Sequence, residues 1–489
     1  MKIKSILCAA ALCASSSIAL AQQQPGASGL DLSKLTQTQI EQTQMPVALY
    51  RLAAMYKESG DFQRLAWTLK RLSELQPNSG DIKLMLATAY AVQGMKSETY
   101  DLLLKMQKQG YGFDLKDNPN FAKVADTKVW GYVLDNFNRN LKPFGEGKIA
   151  FTLPKGDTLF ESLAYDPKRQ QFLAGSVREG KIYHVSKEGV LEDFITPDAQ
   201  NGLWSVYAMA VDADNDVLYV ASTASVYFKG FSAADYGKSG VFKFSLSSGK
   251  LIEKYLLTQG KEPNTLTSIA VGKGGQVFAA DALLNKIYRL DGGALKLMVE
   301  NPAFTSLRGL TVSGDGKMLY FADYTMGVFG VDLTVGKPFD LIYEPDKLTL
   351  GGVDGLYWYD NNLVVIQSGM SPIRIMRLTL DTSGHRVMRG VALDAANPAF
   401  VLPTYGTIDG DGLYFIANSQ KNEYDTYGTP KDAAALKPVV VFRSDLRYRW
   451  DPSAAEQYAE QVHRVLSTTK HGEGVFSNVE GGSQSVTGN

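Results

Sequence analysis

The feature that most constrains the fold is a strand pattern that occurs six times between residues 161 and 445. Each copy contains a short apolar run and two alternating hydrophobic stretches, separated by turns rich in Gly, Asp and Asn. In the first copy these parts are SLAYD, QQFLAGS and GKIYHVS. Successive copies lie 41 to 60 residues apart. This pattern predicts an all-β, six-bladed β-propeller over residues 147–450, with a β-sandwich as the less favoured alternative.

The last copy of the pattern predicts how the ring of blades closes. Most copies continue into an outer strand, such as LEDFI or LKLMV, but no clear outer strand follows VVVFRSD in the sixth copy. One strand, KIAFTL at residues 148–153, stands before the first copy without a blade of its own. We expect this strand to complete blade six, because that pairing leaves no open edge between the first and last blades.

A helical repeat precedes the propeller. Six positions match at a spacing of 34 residues, namely Leu52 with Leu86, Ala53 with Ala87, Tyr56 with Tyr90, Gly60 with Gly94, Leu69 with Leu103, and Leu72 with Met106. This period resembles that of tetratricopeptide (TPR) repeats and predicts a TPR-like helical domain over residues 35–142. The predicted fold is therefore multidomain, α plus β. Such helices either bind a protein partner or form a small packing domain, and both interpretations stay open.

The two ends of the chain carry their own signals. Residues 1–21 have the basic start, apolar centre and Ala19-Leu20-Ala21 cleavage site of a signal peptide, which predicts a periplasmic or secreted protein cut after Ala21. Residues 22–34 are predicted to form a flexible leader, and residues 451–489 a short helix and a disordered tail. Both cysteines, Cys8 and Cys13, lie in the signal, so the mature chain is expected to have no thiol.

Charge and hydropathy exclude some partners. The net charge of −1 offers no basic surface for nucleic acid. After the signal peptide, no apolar run is long enough to span a bilayer, so no membrane span is predicted.

Alignment of the six copies identifies one equivalent position just before each apolar run. The six residues at this position are Glu161, Tyr207, Thr267, Arg308, Asp354 and Thr404. Because inner strands start around one end of a propeller channel, we expect these side chains to converge there.

The propeller region resembles the SMP-30/gluconolactonase/LRE-like family over roughly residues 147–445. The resemblance rests on ESLAYDP, SIAVGKGGQVFAAD, LRGLTVSGDGKMLYFADY and VDGLYWYDNNLVVIQS. It implies a divalent cation, calcium or zinc, held by a Glu, two Asn and an Asp, with the Asp also acting as base on a sugar lactone. Glu161 and Asp354 match the family Glu and Asp, so the resemblance makes them metal ligands and Asp354 the catalytic base.

The chain departs from that family at both Asn positions, which hold Thr267 and Arg308. An Arg side chain has no acceptor atom and repels a cation, whereas two carboxylates and a guanidinium form a charge-balanced cluster without metal. Two functions therefore stay open. One is an extracytoplasmic recognition or scaffold protein, with Tyr207, Thr267 and Thr404 binding a small polar ligand and the helices binding a partner. The other is a gluconolactonase-type hydrolase with Asp354, Glu161 and Arg308 as catalytic residues.

Overall fold

The structure of the chain, a computed structural model, describes residues 31–449. The predicted signal peptide, most of the predicted leader and the predicted C-terminal helix and tail lie outside these residues. The described residues up to Leu75 form one compact unit, and those from Gln76 onward form a second.

Six α-helices occur within residues 31–449, and all of them precede the sheets. They are α1 (Gln37–Glu41), α2 (Pro46–Ser59), α3 (Phe62–Leu75), α4 (Gly80–Gln93), α5 (Lys96–Lys108) and α6 (Lys128–Asn140). The recurring glycines end two of them: Gly60 follows α2 with a φ of 74°, and Gly94 follows α4 with a φ of 78°. This left-handed conformation favours glycine, which explains why a glycine recurs at the end of both helices. The assignment as TPR repeats stays a prediction.

None of the helices within residues 31–449 is both long and apolar enough to cross a membrane.

Strands β1 (Phe144–Gly145) and β2 (Lys148–Leu153) precede the blades. Blade one contains β3 (Phe160–Asp166), β4 (Gln171–Ser176), β5 (Ile182–Val185) and β6 (Leu191–Ile195). Blade two contains β7 (Ser205–Asp212), β8 (Val217–Thr223), β9 (Ser239–Ser245) and β10 (Leu251–Leu256). Blade three contains β11 (Leu266–Gly272), β12 (Gln276–Asp281), β13 (Lys286–Asp291) and β14 (Ala294–Glu300).

Blade four contains β15 (Leu307–Val312), β16 (Met318–Asp323), β17 (Gly327–Asp332) and β18 (Lys337–Asp340). Blade five contains β19 (Val353–Tyr359), β20 (Asn362–Gln367), β21 (Arg374–Leu380) and β22 (Val387–Ala395). Blade six contains β23 (Gly406–Asp409), β24 (Gly412–Ile416) and β25 (Val439–Asp445), with β2 as its outer strand.

The six sheets form a closed ring. Within each sheet the strands are antiparallel, and the inner strands contact one another in the order β3, β7, β11, β15, β19, β23 and back to β3. Hydrophobic clusters fill the spaces between neighbouring blades. The predicted fold, a six-bladed β-propeller preceded by helices, is confirmed.

The predicted closure of the ring is confirmed as well. Strand β2 pairs antiparallel with β25, with Leu153 opposite Val439 and Thr152 opposite Val440. The side chain of Leu153 is completely buried by this pairing. Strand β1, which the repeat does not predict, adds a fifth strand to blade five beside β22.

Candidate functional site

Each inner strand carries a β-bulge near its start, where two residues oppose one residue of the second strand. In blades one to five the bulge residues are Glu161, Tyr207, Thr267, Arg308 and Asp354. These are five of the six positions that the sequence alignment identifies.

Blade six departs from the prediction by one residue. The Thr404 amide donates to the Ile416 carbonyl (2.9 Å), the Ile416 amide donates to the Tyr405 carbonyl (3.3 Å), and Gly406 is already paired with Phe415. Residues 404 and 405 thus oppose the same residue, and Tyr405 occupies the place of Glu161 in blade one. The error arose because the apolar run of this blade, GTID, is short and polar.

Side chains at the ends of second strands hold the segments that lead into the bulges. The Asp323 carboxylate accepts backbone hydrogen bonds from Thr305 (2.7 Å) and Ser306 (2.8 Å), just before Arg308. Asp281 does the same for Thr265 (3.1 Å), just before Thr267. In blades three and four the bulge residue is therefore presented by a short segment whose amides are bonded to a buried carboxylate.

Glu161 is buried and lies among charged groups of other blades. It accepts a hydrogen bond from the hydroxyl of Ser419. Burial raises the pKa of the Glu161 carboxyl above its ordinary value of 4.5, and nearby Asp354 raises it further. Lys421, Ser419 and Arg308 oppose this rise in pKa without cancelling it.

Asp354 and Arg308 form the ion pair of the site. Arg308 Nε lies 3.7 Å from Asp354 Oδ1, and the guanidinium lies 5.6 Å from the centre of the Tyr324 ring. The Ser368 hydroxyl donates to Asp354 Oδ2. Burial raises the pKa of Asp354 above its ordinary value, although Arg308 and Ser368 favour the charged form. Arg308 therefore pairs with one carboxylate and does not bridge both.

Tyr405 and two predicted positions, Tyr207 and Thr404, differ in their surroundings. The Tyr405 hydroxyl accepts from Ser268 (3.0 Å), and burial, together with Asp354, raises its pKa. Tyr207 is buried and donates to Ser225 (3.0 Å); burial is the main cause of its raised pKa, with a contribution from Glu161. Thr404 is also buried, and its hydroxyl has no hydrogen-bond partner within residues 31–449.

Four residues of the site were missed by the sequence analysis. Tyr324 and Ser368 are the first residues after the second strands of blades four and five, so aligning the ends of those strands could have found them. Ser419 and Lys421 lie in the long connection between β24 and β25; blade two also has a long connection at this place, residues 224–238, whereas the other four blades have short ones. Periodicity therefore offered no signal for these two residues.

The start of α4 lies at the same end of the propeller. Asn78 donates to the Met326 carbonyl (2.7 Å) and accepts from the Tyr343 hydroxyl (2.9 Å), in loops of blades four and five. Asp81 is exposed to solvent, yet surrounding protein raises its pKa. Asp81 in turn contributes to the raised pKa of Tyr324. The charge of the Asp81 carboxyl therefore acts on Tyr324.

A divalent cation does not fit this set of side chains. The Arg308 guanidinium occupies the neighbourhood of Asp354 that the family resemblance gives to the metal. Both carboxyls already accept a serine hydroxyl. Within residues 31–449, no group of three or more His, Cys, Asp or Glu side chains is arranged to hold a metal ion. The metal-ligand role predicted for Glu161 and Asp354 therefore lacks its other ligands.

No protein-family model and no curated protein matches the chain. Similar solved structures include the PQQ-bound aldose sugar dehydrogenase of Streptomyces coelicolor, with 16% identity and a TM-score of 0.40 over 62% of this chain and 99% of that one. A gluconolactonase of Xanthomonas campestris has 14% identity and a TM-score of 0.40 over 60% of this chain and 88% of that one.

The virginiamycin B lyase of Staphylococcus aureus has 13% identity and a TM-score of 0.39 over 62% of this chain and 100% of that one. Likenesses of this kind say nothing about function, because propellers serve many chemistries. Fold and site together define the chain as a six-bladed β-propeller with a charged, tyrosine-rich cluster at the inner-strand bulges.

Proposed function

We propose that the protein recognises a small polar ligand at the inner-strand end of its propeller. The observation that carries this proposal is the convergence of bulge side chains from separate blades. Arg308 Nε of blade four lies 3.7 Å from Asp354 Oδ1 of blade five, and the charges of this pair act on Glu161 and Tyr405 from blades one and six. A concave site with a few convergent polar groups is what small-molecule binding requires.

The partial exposure of two charged side chains in the cluster supports ligand binding over a purely structural role. The Arg308 side chain is 35% exposed and that of Asp354 is 16% exposed, although protein surrounds both on most sides. Water that occupies such a recess is displaced when a ligand binds, and hydrogen bonds in enclosed surroundings are stronger than those at an open surface.

The test is a binding screen of hexoses, sugar acids and amino acids by titration calorimetry. A ligand of this site should bind the wild-type chain and lose about tenfold or more in affinity in the Arg308→Met variant, because a charge-assisted hydrogen bond is removed. The matched control is Arg289→Met, on the exposed face of blade three, which should bind as the wild type does. Ligands that bind both variants equally well would place recognition elsewhere.

The second candidate is a hydrolase of lactones or related esters that acts without a metal. It is favoured by the raised pKa values of Glu161 and Asp354, since a carboxyl that keeps its proton can act as a general acid. Turnover of a sugar lactone by the wild type, with loss of about a hundredfold or more in Asp354→Asn, would support it. Binding of the intact lactone without turnover would leave recognition as the function.

A further inference from the structure

We infer that the ligand carries a carboxylate group, held jointly by Arg308 of blade four and Lys421 of the connection between β24 and β25. This inference rests on the proposed ligand site and adds the chemical class of its ligand. Sequence reasoning identified neither the cationic role of Lys421 nor its position beside Glu161.

The connection between β24 and β25 holds Lys421 in a defined place. Its anchor is Tyr424, which is buried in a cluster with Leu159, Val177 and Tyr207. The Tyr424 ring also lies 5.6 Å from the Arg178 guanidinium. Because this cluster includes a bulge residue, Tyr207, the connection is attached beside the site.

Two short-range contacts then set the position of the lysine. The Lys421 amide donates to Ser419 Oγ (3.3 Å), and the same Ser419 hydroxyl donates to Glu161. Lys421 Nζ lies 5.8 Å from the centre of the Tyr227 ring, a cation–π distance. Its charge acts on both Glu161 and Asp354.

The cations of the site are less completely paired than its carboxyls. Each carboxyl has its own serine donor, Ser419 for Glu161 and Ser368 for Asp354. Arg308 Nε donates to Ser306 Oγ (3.1 Å) and approaches a carboxylate only at 3.7 Å, so the terminal nitrogens of its guanidinium remain for a ligand. Lys421 Nζ has no carboxylate within ion-pair distance among residues 31–449. A bound anion would supply the partners that the two cations lack, because enclosed charges are stabilised by an opposite charge and by hydrogen bonds.

The resident groups favour a hydroxylated monocarboxylate over other anions. A planar carboxylate matches the two-pronged donor geometry of a guanidinium. With two cations set against Glu161 and Asp354, a doubly charged phosphate would leave more unbalanced negative charge in the site than a monocarboxylate would. The Tyr405 hydroxyl, which accepts from Ser268, can donate to a hydroxyl group on the rest of the ligand. Sugar acids have this combination of groups.

The test compares three probes on the full chain: D-glucuronate, D-glucose and D-glucose 6-phosphate. We expect D-glucuronate to bind about tenfold or more tightly than D-glucose, with an affinity that falls as salt is added. Lys421→Met should remove most of this preference, whereas Lys421→Arg should retain it. The matched control is Lys437→Met, an exposed lysine of the same connection, which should keep the preference.

Three outcomes would overturn the inference. They are equal binding of D-glucose and D-glucuronate, an unchanged preference in Lys421→Met, and tighter binding of D-glucose 6-phosphate than of D-glucuronate. A chain that binds none of the three probes would overturn it as well. The proposed function fails separately, when no ligand of the wider screen depends on Arg308.

Discussion

Glu161 is held in place at a cost to the fold, because its carboxyl is buried beside a second carboxyl. Ser419 and Lys421 offset part of this cost, but the pKa of Glu161 stays above 4.5. A side chain that destabilises the folded state and still faces other charged groups is typical of a functional position.

The pH dependence of stability follows from that raised pKa. The folded chain binds the Glu161 proton more tightly than the unfolded chain does. The stabilisation is therefore complete below pH 4.5, the ordinary pKa, and is lost as the pH rises through the higher pKa of the folded state. We expect Glu161→Gln to lose this part of the pH dependence. Between acid and neutral pH, the free energy of unfolding of the variant should therefore fall less than that of the wild type.

Urea unfolding between pH 3 and pH 8, roughly the range over which carboxyls titrate, measures the effect. Glu192→Gln on β6 is the matched control, because Glu192 is exposed, and its pH profile should follow the wild type. A Glu161→Gln profile that parallels the wild type would show that the Glu161 carboxyl does not titrate differently in the folded state.

Tyr405 offers a test of the register in blade six. Tyr405→Phe removes the acceptor of the buried Ser268 hydroxyl, so we expect a loss of about 1 kcal/mol in the free energy of unfolding. The control is Tyr427→Phe, whose side chain is 79% exposed and should show no measurable change. Equal stability of both variants, measured by urea unfolding, would contradict the position of Tyr405 inside the channel end.

At the scale of elements, the connection between β24 and β25 depends on one aromatic anchor. Tyr424→Ala leaves a cavity beside Tyr207 and Leu436, and should cost about 3 kcal/mol of unfolding free energy. It should also release the connection, so that trypsin cuts at Lys421 or Lys431 faster than in the wild type. Tyr427→Ala, in the same connection, is the control. Unchanged cleavage in Tyr424→Ala would mean that other contacts hold Lys421.

Elements that repeat along the chain could be predicted from the sequence, and elements that do not repeat could not. Blades one to five share an alternating pattern with turn residues, so their strands and bulge residues could be aligned by spacing alone. In blade six, β23 contains four residues with partial burial throughout, and the alignment slipped by one residue. Lys421 and Ser419 reach Glu161 from an irregular connection, and no local pattern encodes a contact across 258 residues.

At the scale of the whole molecule, the site is assembled from segments that are distant in sequence. Blades one and four to six contribute Glu161, Arg308, Asp354 and Tyr405, and the β24–β25 connection contributes Lys421. Asp81, at the start of α4, contributes to the raised pKa of Tyr324. The geometry of the site therefore requires the ring to be closed, since blades one and six both supply part of it.

Closure of the ring can be tested at β2. Leu153 is completely buried in the hydrophobic cluster between blades six and one, so Leu153→Ala should cost about 3 kcal/mol of unfolding free energy. Leu297, on the outer strand β14 of blade three, is 49% exposed, and Leu297→Ala should cost less than about 1 kcal/mol.

Ligand affinity distinguishes a loosened closure of the ring from an ordinary loss of core packing. Because β2 joins the start of the propeller to blade six, a weakened pairing should also loosen the contact between β23 and β3, next to Glu161. Any ligand found in the screen should therefore bind Leu153→Ala more weakly than Leu297→Ala at temperatures where both variants are folded. Equal affinities would show that the site keeps its geometry without a tight closure, and that β2 contributes stability alone.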